Sequence, residues 1–180
     1  MKLSGISPRT LVIMATLLSG GLSGHFLLPN GTQDPGSSNW GLLYGPGIFF
    51  GIAIALACLW LYRRDWQWSL ARSLLWVAVS TGAWYLALRI ALSESTGTSG
   101  FVSYALAGAA GSAILAAAFW ALVRHLAFTR LLLTVAAGSV LGIAMNLILM
   151  IGLGEWAIIA AFIVWQMGVG LALVKAPPPS

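Results

Sequence analysis

Charge is the first thing this chain lacks. Only 7% of its 180 residues are Asp, Glu, Lys or Arg, while 59% are hydrophobic; an ordinary soluble domain carries about a quarter charged residues. That balance excludes water as the main solvent and points to lipid. In lipid the backbone N–H and C=O groups must be satisfied internally, so the crossings are helices or a closed barrel. Barrel strands are short and alternate apolar with polar positions, whereas the apolar runs here are continuous and of helix-spanning length. Cysteine is nearly missing as well. Cys58 stands alone, which excludes an intrachain disulfide or a Cys-based metal site and leaves packing within a helix as its reading. Four carboxylates and two histidines leave little acid-base machinery. The sequence holds no Gly-x-Ser-x-Gly elbow, no His-Glu-x-x-His, no paired intramembrane aspartates and no phosphate-cradling loop. Only His25, Arg89 and Glu155 could then group as acid-base machinery, so an intramembrane enzyme is the third and least favoured expectation, and no cofactor is called for.

What is present is a regular alternation of apolar runs and short polar breaks. The clearest break is Arg63-Arg64-Asp65-Trp66-Gln67-Trp68-Ser69-Leu70-Ala71-Arg72, which reads as a cytoplasmic loop because cations stay on the non-translocated side and Trp prefers the headgroup layer. From that anchor the chain predicts an all-α integral membrane protein with one domain of six transmembrane helices, at about 10–28, 44–62, 73–92, 101–123, 131–151 and 156–174. Lys2, Arg9, Arg63, Arg64, Arg72, Arg124, Arg130 and Lys175 then fall on one side, with Arg89 the exception. Both termini are expected inside, and the expected location is a bacterial inner membrane. The formal net charge of +5 is a topology signal here and not a nucleic-acid patch, since the cations sit singly at the ends of apolar runs.

Internal similarity suggests repeated helical hairpins. Odd-numbered helices open alike, at Arg9-Thr10-Leu11, Arg72-Ser73-Leu74 and Arg130-Leu131-Leu132, and a constant offset pairs Tyr44 with Tyr104, Gly51 with Gly111, Trp60 with Trp120 and Arg64 with Arg124. Apolar segments flanked by Arg and Trp also resemble one another without common descent. Three Gly-x-x-x-Gly pairs, Gly20 with Gly24, Gly47 with Gly51 and Gly138 with Gly142, license close helix packing, within a bundle or between subunits alike.

Helical spacing places His25 over Gly21, Arg89 over Tyr85 and Gly82, and Asn146 over Gly142 and Ser139. Small residues usually face other helices, so these three polar side chains are expected to point inward at one level of the outer half. Together with Glu155, Trp40, Tyr44, Tyr85 and Trp156 they make the expected ligand site, opening outward. Against that stand simpler roles. Arg89 can snorkel to the interface and meet Glu94 or Glu155, His25 can be a hydrogen-bonded interfacial residue, and Asn146 and Gln166 can bond between helices. Trp84 and Trp165 fall nearer mid-helix, where packing competes with lining a pocket.

Six helices with both ends inside, at this length, are similar in size and topology to the substrate-binding membrane subunits of energy-coupling-factor vitamin transporters. The resemblance is one of architecture, and it implies a membrane component that holds a small solute. The three-hairpin plan resembles that of mitochondrial carriers, but their Pro-x-Asp/Glu-x-x-Lys/Arg signature is absent, which argues against that family. Two functions follow as expectations. One is a small-solute transport or substrate-binding component, working in the bilayer with a small-molecule ligand and with other membrane subunits or copies of itself. The other is a non-transporting scaffold whose same residues knit the loops together.

Overall fold

The computed structural model describes residues 7–27, 40–61, 69–92, 100–123, 128–151 and 155–174. They form six helices: α1 Pro8–Leu27, α2 Trp40–Leu61, α3 Leu70–Ala91, α4 Gly100–Val123, α5 Phe128–Met150 and α6 Glu155–Leu173. There is no strand among the described residues. The Asn30-Gly31-Thr32 triplet, the loop cations Arg63, Arg64, Arg124 and Lys175, and the loop acids Asp34 and Glu94 lie outside the described residues.

Local chemistry sets the starts. The Ser7 hydroxyl accepts from the Thr10 N–H at 3.1 Å, and Pro8 follows at the first helical position, where its missing N–H costs nothing. Ser69 caps α3 in the same way, accepting from the Arg72 N–H at 3.3 Å, which is why α3 begins before the Ser73 expected from hydropathy. α2 begins at Trp40 rather than Tyr44, so Pro46 sits inside the helix instead of in its first turn. An interior proline withholds one backbone donor, and this one is fully buried.

Each helix packs on its neighbours in chain order, and α6 returns to pack on α1, so the six close into a ring. The residue pairings are antiparallel. Gly20 faces Ile163 and Gly24 faces Ile159 across α1 and α6; Gly47 faces Thr81 and Gly51 faces Val77 across α2 and α3; Gly108 and Gly142 meet on α4 and α5. All three Gly-x-x-x-Gly pairs are therefore spent inside the chain. A Cβ on Gly20 would stand 2.6 Å from the Ile163 Cα, and one on Gly47 2.6 Å from the Thr81 Cα. Gly51 and Gly111 both press on α3, from α2 and from α4, so these two positions are not equivalent in the ring.

Polarity runs inside out. The exterior shows Leu18, Leu56, Leu74, Leu133 and Val140, each 60% or more exposed, while Thr16, Ser19, Ser23, Ser80, Ser112, Thr134, Asn146 and Gln166 are buried. In water that arrangement would be an aggregation hazard; in hydrocarbon it is the low-energy one. Five helices, α2 to α6, are long and apolar enough to cross a membrane, as in a multi-pass membrane protein. α1 carries Thr16, Ser19, Ser23 and three glycines, but those hydroxyls are buried while Met14, Leu17, Leu18 and Leu22 are exposed.

Most of these buried polar groups are bonded across helices or back onto their own, while among the described residues the Ser112 hydroxyl at the α4–α5 seam and the Trp76 indole N–H have no partner. Gln166 of α6 accepts from the Ser19 hydroxyl and donates to the Ser23 hydroxyl at 2.8 Å and to the Pro46 carbonyl at 3.4 Å, tying α1, α2 and α6 together. The Ser23 hydroxyl itself donates to the Ser19 carbonyl at 2.7 Å. On the other side of α2, Ser80 donates to the Gly47 carbonyl at 2.8 Å. Replacing Ser80 by Ala removes this bond and little else, and is expected to cost about 0.5 to 1 kcal/mol, the usual worth of one interhelical bond in a membrane protein. Reversible unfolding in mixed micelles measures it, and wild-type stability in the variant would assign the whole α2–α3 contact to Gly47 and Gly51.

Candidate functional site: a cavity in the ring

The lumen of the ring is filled unequally along its length. Toward the end where α3 and α5 begin, Ile54, Cys58, Trp76, Leu115, Phe119 and Leu173 make a solid core with almost no exposed surface. Trp76 meets Phe119 edge to face at 5.6 Å. Toward the opposite end, where α4 begins at Gly100, the buried apolar cluster among the described residues is Trp84, Leu88 and Phe162.

Between these zones lies a cavity of about 60 Å³, partly open. α3 gives it one wall, Trp84, Ala87, Leu88 and Ala91, which are spaced so that they share one helical face. Tyr104, Ala107 and Gly108 of α4 form the second wall, Gly142 and Met145 of α5 the third, and Trp165 of α6 completes it. Trp84 and Trp165 are mid-bundle neighbours at 6.5 Å, nearly perpendicular, and Trp84 also packs on Phe162 at 5.2 Å. The two tryptophans make a floor that Phe50 buttresses through Trp165 at 6.1 Å. Alanine and glycine line the sides, and the missing side-chain volume is what leaves the space open. An apolar cavity of about 150 Å³ stays dry and admits benzene. The present one accommodates a few carbon atoms, such as the end of a chain or one edge of a ring.

The residues expected to form a polar site are distributed around the ring. His25 is on an exposed face of α1, with Gly21 below it open to space. Arg89 and Tyr85 share an exposed face of α3 with Gly82, which also has nothing near it. Tyr85 stacks on Tyr44 at 5.9 Å and 15°, so those two do come together, outside the lumen. Trp156 is 76% exposed. The side chains of Trp40 and Glu155 lie outside the described residues. Asn146 alone of the three stacked polar residues points inward: it is buried on α5, and its amide oxygen and nitrogen both lie 3.6 Å from where a Cβ on Gly100 would sit. It is one turn beyond Gly142, which lines the cavity.

The sequence signal for the cavity was available in Trp84 and Trp165, the two tryptophans set away from the helix ends. The alanines at 87, 91 and 107 carried none, because alanine is common wherever helices approach. Among the described residues no three His, Cys, Asp or Glu side chains come together. A second hollow, about 410 Å³, lies between α1 and α2 along Leu11, Leu18, Phe49 and Leu56; it is a shallow apolar groove on the exterior of the ring.

The fold thus defines an all-helical chain with five membrane-length apolar helices and a small aromatic-floored cavity in its core. Comparison with known proteins adds no closer relation: no family model fits the chain, and no curated protein or solved structure is similar to it.

Proposed function

We propose that this chain is a membrane-embedded component that binds a small solute, as part of a transport system, and that the solute enters the cavity from the Gly100 end. The observation that carries the reading is the unequal filling of the lumen: a solid aromatic and aliphatic core at one end, and a partly open cavity above a Trp84–Trp165 floor at the other. Binding sites in helical bundles are built between helices from mostly apolar walls with a few placed polar groups. This one fits that description better than the polar cluster that helical spacing alone suggested.

The same reading has the chain crossing the bilayer six times with both termini in the cytoplasm, in a bacterial inner membrane. α1 supports a sixth crossing because its 20 residues reach about 30 Å, it lies between α2 and α6 in the ring, and its exposed face is apolar. The arginines around the α3 and α5 starts, Arg63, Arg64, Arg72, Arg124 and Arg130, support a solid core toward the cytoplasm and a cavity that faces outward. Short connections leave the energy source to an ion gradient or another chain.

Ala107→Phe tests the reading, since it fills the cavity with an aromatic ring from a wall position. The variant is expected to lose its ligand and about 1 to 3 kcal/mol of stability, because a whole ring exceeds a cavity that holds a few carbon atoms. The measurement is extraction from native membranes in mild detergent, followed by mass spectrometry of bound small molecules. Wild type should carry a solute that Ala107→Phe lacks. If both are equally free of solute and equally bound to a membrane complex, the scaffold reading replaces this one.

A further inference from the structure

We infer that the groove on the outside of the ring between α1 and α2 is a lipid site. It holds one acyl chain of a phospholipid with an anionic head, and the head lies at the end where α1 begins. The cavity is walled by α3 to α6 and shares no residue with this groove.

Small side chains make the floor of the groove and large ones its rims. Ala15 and Ser19 of α1 and Ala53 of α2 line it. Ser19 and Ala53 are buried, and the Ser19 hydroxyl is taken up by the Gln166 amide. Met14 and Leu18 stand up on one side, Ile52 and Leu56 on the other, each 44% or more exposed. Their spacing of three and four residues keeps each rim on one face of its helix. The surface offered is hydrocarbon with one thioether. Lipid tails are as apolar as leucine, so apolarity alone holds nothing in place; contact from a floor and two rims does, through summed dispersion.

Length decides between a lipid and a helix as the occupant. From Leu11 to Leu22, the two ends of the groove on α1, is about 16 Å along the helix, half of a hydrocarbon core roughly 30 Å thick. That is the depth of one leaflet. A transmembrane helix of a partner or of a second copy crosses the whole core and calls for a groove of full length. Width agrees. The volume of about 410 Å³ spread over about 16 Å is a strip of roughly 25 Å² in section, about 5 Å across, whereas a helix with its side chains is about 10 to 12 Å wide. One hydrocarbon chain fits the strip.

Charge sets the orientation. The groove begins at Leu11 and Leu56, the end where α1 starts and toward which α2 runs, and Arg9 is exposed there, two residues before Leu11. The adjoining sequence adds Lys2, Arg63 and Arg64 against the single acid Asp65, all four outside the described residues. At the other end, residues 28–39 join the same two helices with Asp34 and no Lys or Arg. Cations at the hydrocarbon boundary attract anionic heads, so phosphatidylglycerol suits this end better than phosphatidylcholine.

The test uses the full chain in phosphatidylcholine nanodiscs doped with phosphatidylglycerol that carries a diazirine midway along one acyl chain; a phosphatidylcholine with the same chain is the comparison. After photolysis, peptide mass spectrometry maps the adducts. They are expected to concentrate on Met14, Leu18, Ile52 and Leu56 over Leu132, Leu133 and Val140, which are comparably exposed on α5. The phosphatidylglycerol probe should label the groove about fivefold more than the phosphatidylcholine probe, the increment that one cation near the surface supplies, and Arg9→Gln should cut that difference by half or more. Ala15→Phe raises the floor from a half-buried position and should remove the groove adducts while leaving those on α5. Lowering both rims with Leu18→Ala and Leu56→Ala should do the same without adding bulk. Adducts spread evenly over α1, α2 and α5 would mean bulk lipid only and overturn the site. A groove free of adducts, with α1 cross-linked to a second copy, overturns it in favour of a helix. Equal labelling by the two probes, indifferent to Arg9→Gln, overturns the anionic head.

Discussion

Gly138→Val is expected to cost about 3 kcal/mol or more and to leave little folded protein, the largest effect of any single substitution on the ring. The reason is the α4–α5 seam, where three glycines meet. A Cβ on Gly138 would collide with the Ser112 hydroxyl and stand 2.6 Å from the Gly108 carbonyl oxygen; one on Gly108 would strike the Gly138 carbonyl, and one on Gly142 the Tyr104 carbonyl. A flexible side chain can swing aside, but these are backbone atoms of an opposing helix. The helices must separate, and separation removes the van der Waals contact that holds helices together where lipid supplies no hydrophobic pull. Overpacking in a well-packed core ordinarily costs about 1 to 3 kcal/mol, and the rigidity of the partner puts this case at the upper end. Gly82→Ala is the control. Nothing lies within 4 Å of its Cβ position, so it should be neutral or gain up to about 1 kcal/mol from helix propensity. Thermal unfolding in detergent separates the two. A Gly138→Val protein that purifies in wild-type yield and melts at the wild-type temperature would mean that α4 and α5 are not in this contact.

The same glycines show how far the sequence could be read. The Gly-x-x-x-Gly spacing identified the close-packing faces correctly, because the need for small residues at a tight crossing is local to one helix. Which helix each face meets depends on the ring as a whole: Gly20 and Gly24 meet α6, from the far end of the chain, and no spacing within α1 encodes that. The six helices were legible for a similar reason, since hydropathy is a property of each segment; the starts of α3 and α2 were missed by three or four residues because Ser69 supplies a cap and α2 tolerates Pro46 inside it.

The site was legible in smaller part. Spacing showed that Arg89, Tyr85 and Gly82 share a face, and the structure bears that out, but the face is exposed. Small residues were taken as the mark of an inward face, and Gly82 and Gly21 stand open instead. Asn146 obeyed the inference because Gly142 below it truly meets a partner backbone. A stripe of small residues fixes a face and leaves its direction to be decided by what packs there.

Gln166 carries the second large expected effect, and it bears on why α1 belongs to the ring. Gln166→Ala removes the bonds to Ser19, Ser23 and the Pro46 carbonyl and leaves a hole at a fully buried position. The expected loss is about 2 to 4 kcal/mol, from the cavity and the lost bonds together. Gln166→Leu restores most of the volume, so its smaller loss, about 1 to 2 kcal/mol, isolates the hydrogen bonds. Part of that loss is recovered because a serine hydroxyl in a helix can turn back onto a carbonyl four residues earlier, as Ser23 and Thr16 already do. A double-mutant cycle between Gln166→Leu and Ser23→Ala should give a coupling of about 0.5 to 1.5 kcal/mol. α1 carries three buried hydroxyls, Thr16, Ser19 and Ser23, which are tolerable in hydrocarbon because partners meet them. If Gln166 is that partner, Gln166→Ala should expose α1 to proteolysis before the rest of the bundle loosens. Uniform loosening with zero coupling would instead assign the retention of α1 to the Gly20 and Gly24 contacts with α6, and the amide would then be a filler of space.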